Sequence, residues 1–432
     1  MQKLDSKNKI SVYLNDLGIV CSLGDTKKEI AERLFYGCEA DAESLTTTDA
    51  FSLGRPLSLG QVNNVLPSVD HLPVTQQTRS NQLLLAALKQ IEKPLKEKLK
   101  NTNPLRIGVV LGASTSGIRE GEKALAVKVK TGDWPKNYQY EQQEMSSPAE
   151  SLAEWLKIDG PAITISTACS SGAKALASAR RMLRNNWCDI VIAGGVDALC
   201  ELTVNGFAAL ESVSDEPCVP FSKNRHGINI GEGAALFVVS RESGPVLLSG
   251  VGETSDAHHI SAPAPDGRGA IAAVNLALED ANVKCGEVQY ANLHGTATEQ
   301  NDKMESTAIK AVFGENLACS STKGFTGHTL GAAGAIEAGF CWLSFVQNDF
   351  MADIKNKLQG STEDCHPAGK EAVTNYQLPL HQWDGELDET LPVINLISSV
   401  RSIKNFEHAI SNSFAFGGNN ICLLLSKNSE GK

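Results

Sequence analysis

The chain alternates short hydrophobic runs with segments in which apolar residues recur every three or four positions. The runs are rich in β-branched residues and predict strands, whereas the three- and four-residue spacing predicts helices. The predicted strands are Ile107–Leu111, Ala162–Ser166, Asp189–Ala193, Ala234–Val239, Val246–Ser249 and Cys422–Leu425. The predicted helices are Lys27–Phe35, Asn81–Leu99, Gly172–Leu183, Ala270–Leu278 and Gly331–Phe345. This alternation along the whole length predicts a layered α/β fold.

A weak internal repeat divides the chain. An opening strand, a small-residue elbow and a closing strand after a glycine turn occur in that order twice. The corresponding segments are Val12–Gly18 with Val246–Gly252, Cys169–Ala173 with His328–Ala332, and Gly231–Arg241 with Gly417–Lys427. The repeat predicts two similar halves, residues 1–243 and 244–432, although chance similarity among glycine turns is an alternative.

Composition narrows the class of protein. The 432 residues are 42% hydrophobic and 21% charged, which is typical of a globular protein with a large core. Fifty acidic residues against 39 basic ones give a net charge of −11, which argues against nucleic acid as the main partner.

Cysteine usage and hydropathy bear on location. The eleven cysteines are scattered, with no Cys-x-x-Cys pair, as expected for reduced thiols. No apolar run approaches the roughly 18 residues of a membrane-spanning helix. We therefore expect a cytoplasmic protein without a membrane span.

A nucleophile candidate lies between a predicted strand and a predicted helix. Cys169 follows the strand Ala162–Ser166 in a turn of small residues that leads into the helix from Gly172. Helix N-termini favour a thiolate over a thiol, and small neighbours leave room for an acyl thioester. A structural, buried cysteine is the alternative interpretation.

Two histidines stand in similar glycine- and threonine-rich turns. His294 begins His294-Gly295-Thr296-Ala297-Thr298, and His328 lies in the segment Lys323–Ala332. Two neutral imidazoles near a cysteine can donate hydrogen bonds to a thioester carbonyl and stabilise an enolate formed by loss of carbon dioxide. This set suits carbon–carbon bond formation better than hydrolysis, although a lone histidine is more often structural.

Two further features flank these motifs. Lys323 and Glu337 could form a buried ion pair that holds the second histidine loop, or an exposed pair of little energetic value. Phe414 and Phe416 lie on a glycine-flanked turn, which predicts a mobile gate or a core aromatic pair.

These motifs resemble those of a known family. The segments Thr167–Ser171, His294–Thr298, Gly327–Gly334 and Asn412–Asn420 resemble, in order and spacing, the β-ketoacyl-acyl carrier protein synthases of the Cys-His-His type. The resemblance covers about residues 10–427. It implies a thiolase-like fold, with two similar halves in a five-layered αβαβα arrangement that is usually paired into a dimer.

A narrower resemblance is to the ketosynthases of aryl polyene pigment clusters. It is carried by Arg79–Ala87, Gly112–Gly117 and the double asparagine Asn419-Asn420. Housekeeping fatty-acid elongation synthases are the alternative within the family.

The resemblance also implies roles for individual residues. Cys169 would take the acyl chain, His294 and His328 would assist decarboxylation of malonyl-carrier protein, and Lys323 and Glu337 would support the histidines. The backbone N–H groups of Cys169 and Phe416 would form the oxyanion hole. Substrate contacts are implied for Thr296 and Thr298 on the pantetheine arm, for Phe414 and Phe416 on a gating loop, and for Thr115 at the bottom of the acyl pocket. Phe207 is a further candidate for substrate binding.

The implied partner is an acyl carrier protein, whose phosphopantetheine arm carries the substrates, and no separate cofactor or metal is expected. A second ketosynthase-like subunit, either a copy of this chain or a chain-length-factor-like relative, is the expected dimer partner. Acyl carrier proteins are acidic, so docking needs a local basic area. The candidates are Lys123, Lys128 and Lys130, or Arg180, Arg181 and Arg184.

Three other functional interpretations of the sequence are considered. A CoA-dependent thiolase or priming synthase is disfavoured by His328, and a non-catalytic chain-length partner is disfavoured by the presence of Cys169. A metal-binding protein is suggested by His258-His259 and Cys365-His366, but neither pair has further ligands at zinc-like spacing.

Overall fold

The computed structural model of the chain describes residues 10–37, 44–52, 54–349 and 375–429. The strands are β1 Tyr13–Val20, β2 Thr46–Thr48, β3 Leu57–Leu59, β4 Ile107–Gly112, β5 Ala162–Ile165, β6 Ile190–Asp197, β7 Gly233–Ser240, β8 Val246–Ser255, β9 Tyr290–Asn292, β10 Ala318–Ser320, β11 Tyr376–Gln377, β12 Asn395–Leu396, β13 Ser402–Ile403, β14 His408–Ala415 and β15 Asn419–Lys427. The helices are α1 Lys27–Tyr36, α2 Arg79–Lys100, α3 Ile118–Thr131, α4 Ser147–Leu156, α5 Ser171–Arg184, α6 Glu201–Ala209, α7 Arg268–Ala281, α8 Glu299–Phe313, α9 Lys323–Thr326 and α10 Ala333–Val346.

Eleven of the described strands form one sheet with an internal symmetry. Its order is β12-β10-β9-β14-β15-β8-β1-β7-β6-β4-β5. Read outward from the centre, β1-β7-β6-β4-β5 and β8-β15-β14-β9-β10 have the same sequence of two antiparallel and two parallel pairings. The two sets meet where Tyr13 and Leu14 pair with Leu247 and Val246. The opening strands β1 and β8 therefore hold equivalent positions, and so do the closing strands β7 and β15.

Helices cover the sheet in layers. α2 and α4 pack on the outer face of the first set of strands, and α7 and α8 pack on the outer face of the second. Between the two sets lie α5 and α10, which pack against each other in the central apolar core. Each residue of α10 is buried, as expected for a helix that is apolar on every side. The five-layered arrangement of two similar halves agrees with the predicted fold class.

The two elbows of the repeat place candidate catalytic residues at the centre of the molecule. Cys169 lies between β5 and α5, and His328 lies between β10 and α10. Because α5 and α10 are neighbours, the residues just before their N-termini meet. Within the part of the chain that the structure describes, no helix has the length and apolar character needed to cross a membrane.

Candidate active site

Cys169 stands on a strained elbow. Ala168, immediately before it, has a φ of +52°, a left-handed conformation that costs a non-glycine residue about 1–2 kcal/mol. The elbow turns the chain sharply from β5 into α5 and leaves the Cys169 side chain 8% exposed. Its Sγ lies 2.9 Å from Nε2 of His328.

The two histidines converge on that sulfur from the second half of the chain. One ligand-capable atom from each of Cys169, His294 and His328 lies within 4.8 Å of the other two. The imidazole rings stand edge to face, with centroids 5.5 Å apart. The structure thus brings together the three residues that the motifs single out.

Hydrogen bonds to the two rings set their tautomers. Nδ1 of His328 accepts the backbone N–H of Leu330 at 3.1 Å, and Nδ1 of His294 lies 3.3 Å from the Lys323 ammonium, which can only donate. Burial, and then the charge of Lys323, lower the pKa of both imidazoles well below the ordinary value, so both rings are neutral. Each ring therefore carries its proton on Nε2.

This tautomer bears on metal binding. Cys and His are zinc ligands by type, but a ligating nitrogen must be unprotonated. The donors that face both Nδ1 atoms keep the protons on the Nε2 atoms, so the set is arranged to donate hydrogen bonds. His258 and His259 lie in an exposed loop, whereas Cys365 and His366 lie outside the described residues.

Lys323 and Glu337 form a buried ion pair beneath His294. The Lys323 ammonium contacts the Glu337 carboxylate and the backbone carbonyl of His294. Both side chains are at most 4% exposed, and burial raises the pKa of Glu337 to about 7 even though the ammonium opposes this.

The protonation state of Cys169 differs from the sequence-based expectation. Burial raises the pKa of its thiol to about 11, although Lys323 and the backbone N–H groups of Phe416 and Cys169 lower it. Desolvation outweighs the helix N-terminus because the sulfur is enclosed. The same two N–H groups can donate hydrogen bonds to a negatively charged oxygen of an acyl group attached to the sulfur.

A cleft of about 460 Å³ opens onto these groups. Its walls include Thr296 and Thr298, whose hydroxyls are 2.8 Å apart, and the aromatic rings of Phe207, Phe414 and Phe416. Thr115 is not among the lining residues; its hydroxyl donates to Asp197 and accepts the N–H of Ala198. The polarity of this threonine is therefore satisfied inside the protein.

The turn between β14 and β15 is shorter than the gating loop that the sequence predicts. Phe414 lies in β14, paired with Asn420 of β15, and it is buried with its ring edge-on to His294. Only residues 416–418 form the turn, and Phe416 at its start is 37% exposed. Phe414 therefore lies in a strand and not on the turn, because the two strands pair up to Ala415 and Asn419.

Three buried carboxylates that the sequence did not single out hold the histidine loops. Glu305 accepts the N–H groups of His294 and Gly295 at 2.8 and 2.7 Å, and Asp302 accepts that of Thr296 at 3.1 Å. Asp197 accepts the N–H of Gly331 at 2.6 Å. Burial raises the pKa of Glu305 to about 7 and that of Asp302 and Asp197 to about 6. Two acidic residues three positions apart, soon after the His294 motif, were the available signal.

The two candidate basic areas differ in how their charges are used. Arg180 is buried and pairs with Asp280, Arg181 pairs with Glu253, and Arg184 lies 3.7 Å from Asp280. These charges are engaged within the chain. On α3, Lys123 and Lys130 are exposed, and Lys128 lies over the ring of Trp134. The α3 set remains the candidate for carrier-protein docking.

Comparison with known proteins gives a consistent picture. The β-ketoacyl synthase N-terminal domain model matches residues 59–244, and the C-terminal domain model matches residues 246–355. The chain is 30% identical to 3-oxoacyl-[acyl-carrier-protein] synthase 2 of Coxiella burnetii, over 97% of this chain and 99% of that protein. It is 29% identical to the Staphylococcus aureus (strain N315) enzyme of the same name, over 98% and 99%.

Among solved structures, the chain is similar to the ketosynthase ApeO in complex with its chain length factor ApeC from Xenorhabdus doucetiae. The TM-score is 0.86 and the identity is 39%, over 99% of this chain and 100% of that one. This identity is higher than that to either 3-oxoacyl synthase.

Proposed function

The chain belongs to the β-ketoacyl synthase family, and from this premise we propose that Cys169, His294 and His328 carry out its condensation reaction on chains of the aryl polyene type. The protein is a β-ketoacyl-acyl carrier protein synthase, an acyltransferase that elongates acyl chains. The observation that carries the residue assignment is the convergence of one sulfur and two imidazoles within 4.8 Å on the wall of one cleft.

The first half-reaction loads the enzyme. The Cys169 sulfur attacks the thioester carbonyl of the acyl-carrier protein. The tetrahedral oxyanion that forms accepts hydrogen bonds from the backbone N–H groups of Cys169 and Phe416. The bond to the pantetheine sulfur then breaks, and the thiol proton leaves with that sulfur. Thr296 and Thr298 bind the pantetheine arm, while Phe207 and Phe416 border the acyl chain.

The second half-reaction forms the new carbon–carbon bond. Malonyl-carrier protein places its thioester oxygen between the Nε2–H groups of His294 and His328, and loss of carbon dioxide leaves an enolate that both groups stabilise. The enolate carbon attacks the acyl-Cys169 carbonyl, and the C–S bond breaks to release the β-ketoacyl product. The Cys169 thiolate then takes a proton from water, which restores the thiol. Neutral rings suit this role because an N–H donor is needed and no proton has to be removed from the substrate.

The Lys323–Glu337 pair supports this arrangement. The ammonium holds the backbone carbonyl of His294 and faces its Nδ1, so it maintains the tautomer that the enolate requires. Since all substrates arrive as thioesters on the phosphopantetheine of a carrier protein, the proposed chemistry needs no separate cofactor. Free thiols at the nine described cysteines are in keeping with a cytoplasmic location.

The dimer partner is proposed to be a chain-length-factor-like subunit rather than a second copy. The solved ketosynthase at 39% identity is in complex with its chain length factor. In this chain β5 is an edge strand of the sheet, and its Ile163 is 43% exposed. An exposed apolar edge strand offers unpaired backbone groups to another chain.

One experiment tests both parts of the proposal. The chain is purified alone and after coexpression with its chain-length-factor-like subunit, then incubated with acyl- and malonyl-carrier protein. We expect an acyl adduct on the intact chain, lost in Cys169→Ala, and carbon dioxide release that depends on coexpression. An adduct that persists in Cys169→Ala contradicts the nucleophile, whereas full activity of a homodimer contradicts the heterodimer.

A further inference from the structure

The carboxylate of Asp197 joins two loops from different halves of the chain. Asp197 ends β6 and is fully buried. Its Oδ1 accepts the N–H groups of Ser114 and Thr115, both at 2.7 Å, and the Thr115 hydroxyl at 2.8 Å. Its Oδ2 accepts the N–H of Gly331 at 2.6 Å, three residues after His328. One side chain thus receives four donors that would otherwise be buried without partners.

The turn after His328 is pressed against this carboxylate. A Cβ atom at Gly331 would lie 2.7 Å from Oδ2 of Asp197 and 2.8 Å from Oγ of Ser114, closer than real Cβ atoms approach such neighbours. Only glycine fits at this distance. The position of the turn is therefore set by its contact with Asp197.

The same turn is strained. Leu330 has a φ of +51°, a left-handed conformation that a leucine adopts only when its surroundings hold it there. In that conformation its N–H reaches Nδ1 of His328 at 3.1 Å. The N–H of Leu330 belongs to the preceding peptide, so its direction is linked to the Gly331–Asp197 contact through the backbone angles of Leu330.

The backbone of His328 is anchored separately. Its N–H donates to the carbonyl of Asn229 at 2.6 Å, and its carbonyl accepts the N–H of Gly231 at 2.9 Å. These bonds locate the residue but leave the protonated nitrogen of the ring undetermined. The contact between Leu330 and Nδ1 makes that selection, because an N–H donor cannot face a protonated Nδ1.

We propose that Asp197 is a positioning residue for His328: by holding Gly331 it keeps the Leu330 N–H on Nδ1 and so keeps the His328 proton on Nε2, toward Cys169. The inference rests on the proposed function, in which that Nε2–H stabilises the enolate. Asp197 acts through the turn and touches neither substrate nor sulfur.

The test is Asp197→Asn in the full-length chain, assembled in its active form. An amide of the same shape has one oxygen and one NH2 group. Because three donors face Oδ1 and only Gly331 faces Oδ2, the oxygen should stay toward Ser114 and Thr115, and the N–H of Gly331 then loses its acceptor. The tautomer of His328 is read from long-range ¹H–¹⁵N spectra of protein labelled with ¹⁵N-histidine, with the signal assigned from His328→Ala. Carbon dioxide release from malonyl-carrier protein is measured in parallel.

We expect the Nε2–H form of His328 to become mixed with the Nδ1–H form. We expect carbon dioxide release to fall in proportion to the Nε2–H fraction that is lost, up to about a hundredfold where the Nδ1–H form replaces it almost completely, the scale for losing one preorganised donor. The KM for malonyl-carrier protein should change by no more than about twofold, since the cleft is intact. The control is Asp189→Asn, just before the opposite end of β6, which loses ion pairs with Arg106 and Arg241 but leaves His328 untouched.

A second variant guards against failure to fold. In Gly331→Ala the added Cβ atom collides with Asp197 and pushes the turn away from it. This variant should therefore give the same change of tautomer while Asp197 is unchanged. A folded variant in which His328 remains wholly Nε2–H, or in which the tautomer shifts without slower carbon dioxide release, overturns the inference. If the wild-type protein releases no carbon dioxide, the proposed function fails, whereas the spectra still decide whether Asp197 sets the tautomer.

Discussion

The thiol of Cys169 is expected to react slowly near neutral pH. Burial raises its pKa to about 11, and the thiolate is the reactive form in alkylation. A raised pKa means that the protonated form persists as pH rises, so the rate of alkylation by iodoacetamide should climb about tenfold per pH unit from 7 to 10 without levelling off. Mass spectrometry of the Cys169 peptide measures this rate.

Glutathione serves as the reference in the same experiment, because the rate for a free thiol levels off above its pKa of about 8.5. A Cys169 rate that is already constant between pH 7 and 8 would mean that the thiolate is formed in the resting enzyme. The proton would then have to be transferred before loading rather than during it.

At the level of single residues, the sequence identifies the groups that do chemistry better than the groups that hold them. Cys169, His294 and His328 stand in turns of glycine, threonine and serine, a composition that a packed core does not need. Glu305 and Asp197 lie within ordinary helix and strand sequence. Glu305 holds the N–H groups of His294 and Gly295, 11 and 10 residues away, whereas the Asp197–Gly331 bond joins residues 134 positions apart.

The hairpin of β14 and β15 is expected to control the oxyanion hole through its three-residue turn. Gly418 has a φ of +72°, and a Cβ there would lie 2.9 Å from Cβ of Asp256. Gly418→Ala should displace the turn and with it the N–H of Phe416. We expect loading of Cys169 to slow by about a hundredfold, as for removal of one oxyanion donor, measured as the rate of adduct formation by intact mass.

Gly132→Ala is the matched control for this turn. Gly132 also has a left-handed φ, +88°, but it follows α3 and has open space around it. Both variants should lose about 1–2 kcal/mol of stability from the strained backbone, but only Gly418→Ala should load slowly. Equal loading rates in the two variants would show that the turn does not control the oxyanion hole.

Among elements, the sequence predicts those with a strong apolar pattern. α2 and α5 lie where the three- and four-residue spacing indicates, because one face of each is buried. α3 and α8 escape prediction. The apolar residues Leu125, Val127 and Val129 of α3 are exposed and form no buried stripe, and buried polar residues such as Asp302 and Glu305 replace part of the apolar stripe of α8. β14 escapes because its Ser411, Asn412 and Ser413 are buried polar residues in a strand.

At the scale of the whole molecule, the active site takes residues from both sets of strands. Cys169 follows β5 of the first set, whereas His294, His328 and the Phe416 N–H belong to the second. The division at residues 243 and 244 stays a prediction. Each set has an apolar cluster on its outer face, but the shared sheet and the pairing of α5 with α10 put the inner faces of both sets into one common core.

This joining predicts a single cooperative unfolding transition whose midpoint depends on Arg180. The Arg180 guanidinium on α5 reaches across to Asp280 of α7 and to the carbonyl of Ser249 in β8. It is 4% exposed, so Arg180→Ala removes a buried charge from its partner and should cost about 3 kcal/mol. Arg55→Ala, which breaks an exposed pair with Asp215 inside the first set, should cost at most about 1 kcal/mol.

Urea unfolding followed by circular dichroism and tryptophan fluorescence should give coincident curves for both variants, with only the Arg180→Ala midpoint clearly lowered. Two separate transitions in Arg180→Ala would mean that each set of strands folds on its own, and the active site would then form by docking of two prefolded units.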